Sequence, residues 1–165
     1  MSAVLKDEPL LVPMSARHLD AVLAIELAAY EFPWSRGNFV DSLAAGHVAQ
    51  LLRDARGELL GYLVALPGFE EMHLLNLTVV PAEQGRGHAR CMLAWLVASC
   101  RRQRARQLWL EVRDSNDRAR RVYQRFGFAH IGERKGYYPD GNGRREDAVV
   151  MALQIEPEAT PDALE

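Results

Sequence analysis

A single mixed α/β domain is the fold class that this sequence predicts, and three observations predict it. Short apolar runs of strand character alternate with longer stretches of helical period, in the order β-α-α-β-β-β-α-β-α-β-β. The chain has 165 residues, enough for one domain with a sizeable core. Its composition, 48% hydrophobic and 25% charged, is that of an ordinary globular protein, and no segment repeats.

The elements follow in order. Leu10, Leu11, Val12 and Pro13 form a short first strand. Ser15 is a good N-cap for a helix whose apolar positions are Leu19, Val22, Leu23, Ile25 and Leu27. Phe32, Pro33, Trp34 and Ser35 interrupt it, and Ser35 caps a second helix running to about residue 45. Three strands are expected at residues 48–53, 58–66 and 72–80, the first two joined by a hairpin turn at Asp54, Ala55, Arg56 and Gly57. Pro81 ends the third. A helix over 87–104 carries Ala89, Met92, Leu93, Leu96, Val97 and Cys100 at i, i+3, i+4, i+7 spacing. Residues 107–112 form the next strand. Asn116 caps a helix bearing Ala119, Val122, Tyr123 and Phe126, and Gly127 stops it. Residues 128–134 and 148–155 are two closing strands. The domain is thus expected over 8–155. Residues 156–165 hold four acids and no bases and are expected to be a disordered tail.

Several classes are excluded. No apolar run approaches the roughly 20 residues of a membrane span. The first eleven residues include Lys6, Asp7 and Glu8 and lack a signal-peptide core, so a cytoplasmic chain without a membrane partner is expected. Net charge is -2, and without the acidic tail 20 basic residues face 18 acidic ones; no nucleic-acid partner is expected. Cys91 and Cys100 fall on opposite faces of one helix, about 13.5 Å apart along its axis. That exceeds the ~7 Å reach of a disulfide, and two thiols make a poor zinc site, so no metal is expected.

The strongest local signal is the segment Gln84, Gly85, Arg86, Gly87, His88 and Ala89, between a strand and an amphipathic helix. Glycines at a helix start expose backbone N–H groups, and the helix dipole adds partial positive charge. Such a loop suits a pyrophosphate, and Arg86 and Arg90 can add charge-assisted bonds. It lacks the Gly-Lys-Ser/Thr of a P-loop. Read as a dinucleotide fingerprint it would need Gly or Ala at position 90, which is Arg. A structural glycine turn remains an open reading of the loop alone.

Gln84, Gly87 and Ala89, after the strand Leu77, Thr78, Val79 and Val80, resemble the CoA-binding motif of the GNAT acetyltransferase superfamily. The element order is similar to that fold over about residues 10–155. The run Leu108, Trp109, Leu110, Glu111, Val112 and Arg113, then Ser115 and Asn116, Val122 and Tyr123, and Phe126, Gly127 and Phe128 resembles the bacterial ribosomal-protein-alanine N-acetyltransferases of the RimI type. So do the residues from Ala29 to Ser35, and Tyr137, Tyr138 and Pro139 with Arg145, Glu146, Asp147 and Ala148.

The resemblance implies acetyl-CoA as co-substrate and a protein N-terminus as acceptor, specifically the N-terminal alanine of small-subunit ribosomal protein eighteen. It implies Glu111 as the general base, acting through water, and Tyr123 as the general acid for the CoA thiolate. From the residues alone, Glu111 is equally a surface carboxylate paired with an arginine, Tyr123 a core tyrosine, and Asn116 simply an N-cap. The resemblance places Leu77, Thr78, Val79, Gly85, Arg86, Gly87, His88, Ala89, Arg90 and Asn116 at the cofactor, with the Val79 N–H polarising the thioester carbonyl. It places Phe32, Trp34, Tyr137 and Tyr138 at the acceptor, on loops covering the peptide, and Glu71 there too, flanking with Asn76 the site side of the strand that carries Leu77, Thr78 and Val79. His73 and His88 have no evident partner for a triad or metal site. The loop around Asp140, Gly141, Asn142 and Gly143 and the acidic tail depart from the family pattern. Acetylation of lysine side chains or small amines is the alternative activity, and a non-catalytic CoA-binding module a third reading, disfavoured because Glu111 and Tyr123 are both present.

Overall fold

A computed structural model describes residues 8–158. The strands are β1 (Leu10–Pro13), β2 (Val48–Arg53), β3 (Leu59–Gly68), β4 (Glu71–Val79), β5 (Gln107–Arg113), β6 (Ala129–Pro139) and β7 (Arg145–Gln154). The helices are α1 (Leu19–Ala29), α2 (Arg36–Ala44), α3 (His88–Arg102) and α4 (Asp117–Phe126), with short 3-10 turns at Ala16–His18 and Pro81–Glu83. The element order is the one read from the sequence. None of the described helices is long and apolar enough to cross a membrane.

Local chemistry explains most boundaries. Ser35 Oγ accepts from Asn38 N at 3.1 Å and so starts α2; such a cap contributes about 1 kcal/mol. Asn116 Oδ1 accepts from Ala119 N at 3.2 Å and starts α4. Gly127, with φ +125°, stops it, its N–H bonded back to Tyr123 O at 3.1 Å. Asp54 Oδ1 accepts from Arg56 N and Glu58 N, both at 2.9 Å, and closes the β2–β3 hairpin.

Seven strands form one sheet in the order β1-β2-β3-β4-β5-β7-β6. Every neighbouring pair is antiparallel except β4 and β5, which run parallel. A parallel pair needs a crossover, and α3 supplies it. That ladder is short: it pairs Glu71 with Gln107 through Leu74 with Leu110, and then the strands part.

Two cores flank the sheet. On one face α3 and α4 press Met92, Leu93, Leu96, Cys100 and Tyr123 against Leu63, Met72, Leu108 and Leu110. On the other, α1 and α2 press Leu19, Val22 and Phe39 against Leu51, Tyr62 and Val64. Each such side chain contributes about 1.5–3 kcal/mol by leaving water.

Strand β4 changes face midway. Ala65 pairs with Leu74 but Val64 pairs with Asn76, so Leu75 is an extra residue, a β-bulge. Before it, Met72 and Leu74 sit in the α3 core; after it, Leu77 and Val79 pack there instead. Asn76 and Thr78 consequently point to the α1 side.

Two expectations are corrected. Leu27 is not on the apolar face of α1: it is 66% exposed, whereas its neighbour Glu26 is 1% exposed. The closing hairpin is longer than its apolar residues suggest, so Tyr137 and Tyr138 lie in β6 and not in a loop. Asp140, Gly141, Asn142 and Gly143 turn it, with Asp140 N bonded to Arg144 O at 2.9 Å. Of the expected tail, residues 156–158 have no regular structure, and Glu156 O accepts from Arg101 Nε at 3.2 Å; residues 159–165 lie outside the described residues.

Strand β4 lies close against β3 at Gly61, where a Cβ would collide with the Thr78 carbonyl oxygen and come within 3.3 Å of Val79 Cα. The obstruction is backbone and cannot swing aside. Gly61→Ala is therefore expected to cost about 1–3 kcal/mol in a urea titration, and unchanged stability would contradict this packing.

Candidate active site

The parting of β4 from β5 opens a cleft of about 900 Å³. Its floor is Leu77, Thr78 and Val79, whose side towards β5 has no ladder partner among the described residues. Ala29 and Tyr30 line it from the end of α1, on one face of the sheet; α3 and α4 line it from the other. The cleft therefore reaches through the sheet at the fork.

On the α3 side the cleft is built for anions. Gly85 and Gly87 adopt the left-handed region, with φ +82° and +83°, and Gly87 is the N-cap of α3. No side chain caps this helix, so the first-turn N–H groups of His88, Ala89 and Arg90 are left for a ligand. Arg90, Arg118, Arg121 and Arg125 line the same cleft. The Arg118 guanidinium lies beside the glycine loop, 3.6 Å from where a Cβ on Gly85 would be. A glycine cradle, four guanidiniums and an unpaired strand edge in one cleft fit a long, polyphosphorylated ligand with an amide-bearing arm, the chemistry of CoA.

Of the residues expected at the cofactor, Leu77, Thr78, Val79, Gly85, Gly87, His88, Ala89, Arg90 and Asn116 all line the cleft. Arg86 does not; its guanidinium lies 3.4 Å from Glu83 Oε2. Tyr123 lines it from α4 and is 8% exposed. Its hydroxyl bonds to nothing among the described residues. Burial, with the Tyr30 and Tyr138 phenols nearby, pushes its pKa up and keeps the phenol protonated at neutral pH.

Glu111 lies on the other face, where β5 leaves β4. Leu108, Leu110 and Val112 face the α3 core, so Trp109, Glu111 and Arg113 face the opposite way. The Glu111 side chain is only 7% exposed. Its Oε2 lies 2.7 Å from His73 Nε2, and its Oε1 lies 3.4 Å from Arg134 Nε. The His73 ring stacks on Trp109 at 3.6 Å with 8° between planes. His73 was expected to have no partner; the structure gives it Glu111. His88 also has one, with Nε2 3.3 Å from Glu83 Oε2.

Aromatic side chains wall this face. The Arg113 guanidinium lies between the rings of Phe32, at 4.9 Å, and Tyr138, at 4.5 Å. It also donates to Pro139 O at 2.9 Å and to Glu146 Oε1 at 3.1 Å, and so ties the α1–α2 connection to the β6–β7 hairpin. The hydrogen bond from Ser115, together with Arg113, holds the Glu146 carboxyl below its ordinary range. Arg134 covers Tyr137 at 5.3 Å. Burial and the Glu111 charge push Tyr137 and Tyr138 upward. Trp34 packs instead against Phe39, ring centroids 5.1 Å apart, and Glu71 is exposed at the start of β4, two residues before His73 on the same face.

Beneath the fork lies a buried polar network. Glu26 accepts from Trp34 N at 3.0 Å, from Asn76 Nδ2 at 3.2 and 3.3 Å, and from the Tyr62 hydroxyl. Thr78 Oγ1 donates to Asn76 Oδ1 at 2.7 Å, and the Tyr30 hydroxyl lies 2.7 Å from Thr78 Oγ1 and 3.2 Å from Leu77 O. Burial pushes the Tyr30 phenol up to about 12, although its bond to Thr78 works the other way.

Sequence reasoning missed Tyr30, His73, Arg134 and the guanidiniums on α4. Only the last left a signal: Arg118, Arg121 and Arg125, spaced three and four apart, fall on one helical stripe beside Val122.

This chain is similar to known proteins. Residues 19–128 match the Acetyltransferase (GNAT) family. The [ribosomal protein bS18]-alanine N-acetyltransferase of Haemophilus ducreyi is 37% identical over 131 residues, covering 79% of this chain and 90% of that protein. The enzyme of the same name from Escherichia coli K12 is 34% identical over 137 residues, covering 83% and 91%. The crystal structure of the ribosomal-protein-S18-alanine N-acetyltransferase from Escherichia coli superposes with a TM-score of 0.82 at 30% identity, covering 93% of this chain and 97% of that one. With the family match spanning two thirds of its length and relatives matched over nearly all of theirs, this chain belongs to the GNAT acetyltransferase family.

Proposed function

We propose that this chain transfers the acetyl group of acetyl-CoA to the α-amino group of the alanine that begins ribosomal protein bS18. The observation that carries the reading is the cleft at the fork: a phosphate cradle lies on its α3 side, and beyond its lining, where β5 leaves β4, stands the sheltered Glu111 carboxylate among aromatic rings. Relatives that carry out this reaction, aligned over 90% or more of their length, support the choice of acceptor.

GNAT enzymes use acetyl-CoA, which supplies an activated acyl carbon and a thiolate leaving group. The cradle at Gly85, Gly87 and the start of α3, with Arg90, Arg118, Arg121 and Arg125, would hold its phosphates. The unpaired edge at Leu77, Thr78 and Val79 would pair with its amide-bearing arm as an added strand, with the Val79 N–H donating to the acyl oxygen. On the other face Glu111, through water, takes the proton that the acceptor amine must lose. Tyr123, kept protonated by burial, gives its proton to the departing sulfur.

The acceptor class follows from acidity. A terminal α-amine has a free pKa of about 7.7–8.0 and a lysine one of about 10.4. One carboxylate, already bonded to His73 and Arg134, suits the former. Phe32, Tyr137 and Tyr138 would flank a short peptide, and the reaction would take place in the cytoplasm, where ribosomal proteins are made.

A peptide copying the bS18 N-terminus is expected to be acetylated in preference to an N-terminally blocked lysine peptide; preference for the blocked peptide would contradict the proposal. Glu111→Gln and Tyr123→Phe should each lower kcat by about 10²–10⁴-fold, while circular dichroism stays that of the parent. Arg118→Ala and Arg121→Ala should each raise the KM for acetyl-CoA by about tenfold, the loss of one charge-assisted bond, and leave the KM for peptide unchanged.

A further inference from the structure

We propose that His73 is the proton outlet of Glu111, a positioning residue that orients the carboxylate and relays the acceptor's proton from it to solvent. This rests on the reading of Glu111 as the base.

The geometry begins with strand register. His73 and Trp109 are direct partners in the parallel β4–β5 ladder, and Glu111 is two residues beyond Trp109. All three therefore share one face of the sheet. The flat stack on Trp109 fixes the plane of the His73 ring and presents Nε2 to Glu111 Oε2 at 2.7 Å.

The two carboxylate oxygens differ in what they can pass on. Oε1 faces the Arg134 guanidinium, a permanent cation that cannot accept a proton. Oε2 faces an imidazole, which can. At 7% exposure, Glu111 has little direct contact with bulk water. His73 does have contact: its side chain is 16% exposed. Its Nδ1 has no hydrogen-bond partner among the described residues and is not among their sealed, unpartnered polar atoms.

The protons balance over one turnover. The acceptor ammonium loses one proton, through water, to the Glu111 carboxylate. Glu111 passes it to His73 Nε2, giving imidazolium beside carboxylate. His73 gives its Nδ1 proton to water, which leaves the ring neutral, and a net-zero exchange with water moves the remaining proton from Nε2 back to Nδ1. One proton has moved from amine to solvent, and both side chains are reset. Among the described residues, the other charged and titratable groups on this face include Arg134, Tyr137 and Tyr138 on β6, Arg113 on β5 and Glu71 on β4.

The test compares His73→Gln, whose amide can still donate to Glu111 but cannot carry a proton, with the parent and Glu111→Gln. Steady-state rates are measured with acetyl-CoA and the bS18 N-terminal peptide at fixed pH and ionic strength, with imidazole added in increasing concentration. The expected result is a kcat lowered by about 10²-fold, KM values within about twofold, and a kcat that climbs with imidazole in the variant but not in the parent. His73→Thr, a residue suited to strands, serves if the Gln variant does not fold. A parental kcat in a folded His73 variant alongside an impaired Glu111→Gln overturns the outlet and leaves the base standing. A lowered kcat that imidazole does not raise also overturns it, leaving His73 a structural partner. A parental kcat in Glu111→Gln overturns the base itself.

Discussion

Two parallel strands that part midway leave backbone donors and acceptors without partners, and such groups are costly unless something satisfies them. Here the β4–β5 ladder ends at Leu74 and Leu110, and the molecule is arranged around that opening. The carboxyl half of β4 keeps β3 on one side and offers its other side to the cleft. The same parting lets α1 residues and α3–α4 residues line one space, so chemistry begun on one face of the sheet can be completed from the other.

An open fork needs its edges held. The bulge at Leu75 turns Asn76 and Thr78 towards α1, where Glu26, Tyr30 and Tyr62 bond with them in a buried chain. A buried carboxylate is expensive unless its oxygens are well satisfied, and Glu26 accepts from three separate elements: the Tyr62 hydroxyl on β3, Asn76 on β4, and the backbone N–H of Trp34. One side chain thus sets the height of β4 and the position of the segment that carries Phe32. On the opposite rim Arg113 does comparable service, joining Phe32 to Tyr138 and Pro139 through its flat guanidinium face and its edge. An arginine suits that position because it can stack and hydrogen-bond at once.

Much of this was legible in the residues, and the reasons divide cleanly. Strand β2 falls at residues 48–53 as expected, and α3 buries Met92, Leu93, Leu96, Val97 and Cys100 as its spacing requires, because periodicity records which face meets the core. Strand β6 was underestimated for the converse reason: it is largely exposed along its length, so Glu133, Lys135 and Gly136 leave no alternation to read. Leu27 and Glu26 misled because a helical stripe cannot announce that a buried carboxylate will find three donors far along the chain. The pairing of His73 with Glu111, 38 residues apart, depends on the register of a parallel ladder across an intervening helix. No local spacing encodes that register, whereas the arginine stripe of α4 was written in its own sequence.

On the proposed function the parted edge of β4 is the surface on which acetyl-CoA lies, and backbone hydrogen exchange reads that edge directly. In the free protein, the amides of residues 75–79 that face the cleft should exchange quickly, while those bonded to β3 exchange slowly. Saturating acetyl-CoA should slow the exchanging set and the first-turn amides of α3 together. Slow exchange of the whole segment without ligand, or protection at α3 with none at β4, would mean that acetyl-CoA does not lie on this edge.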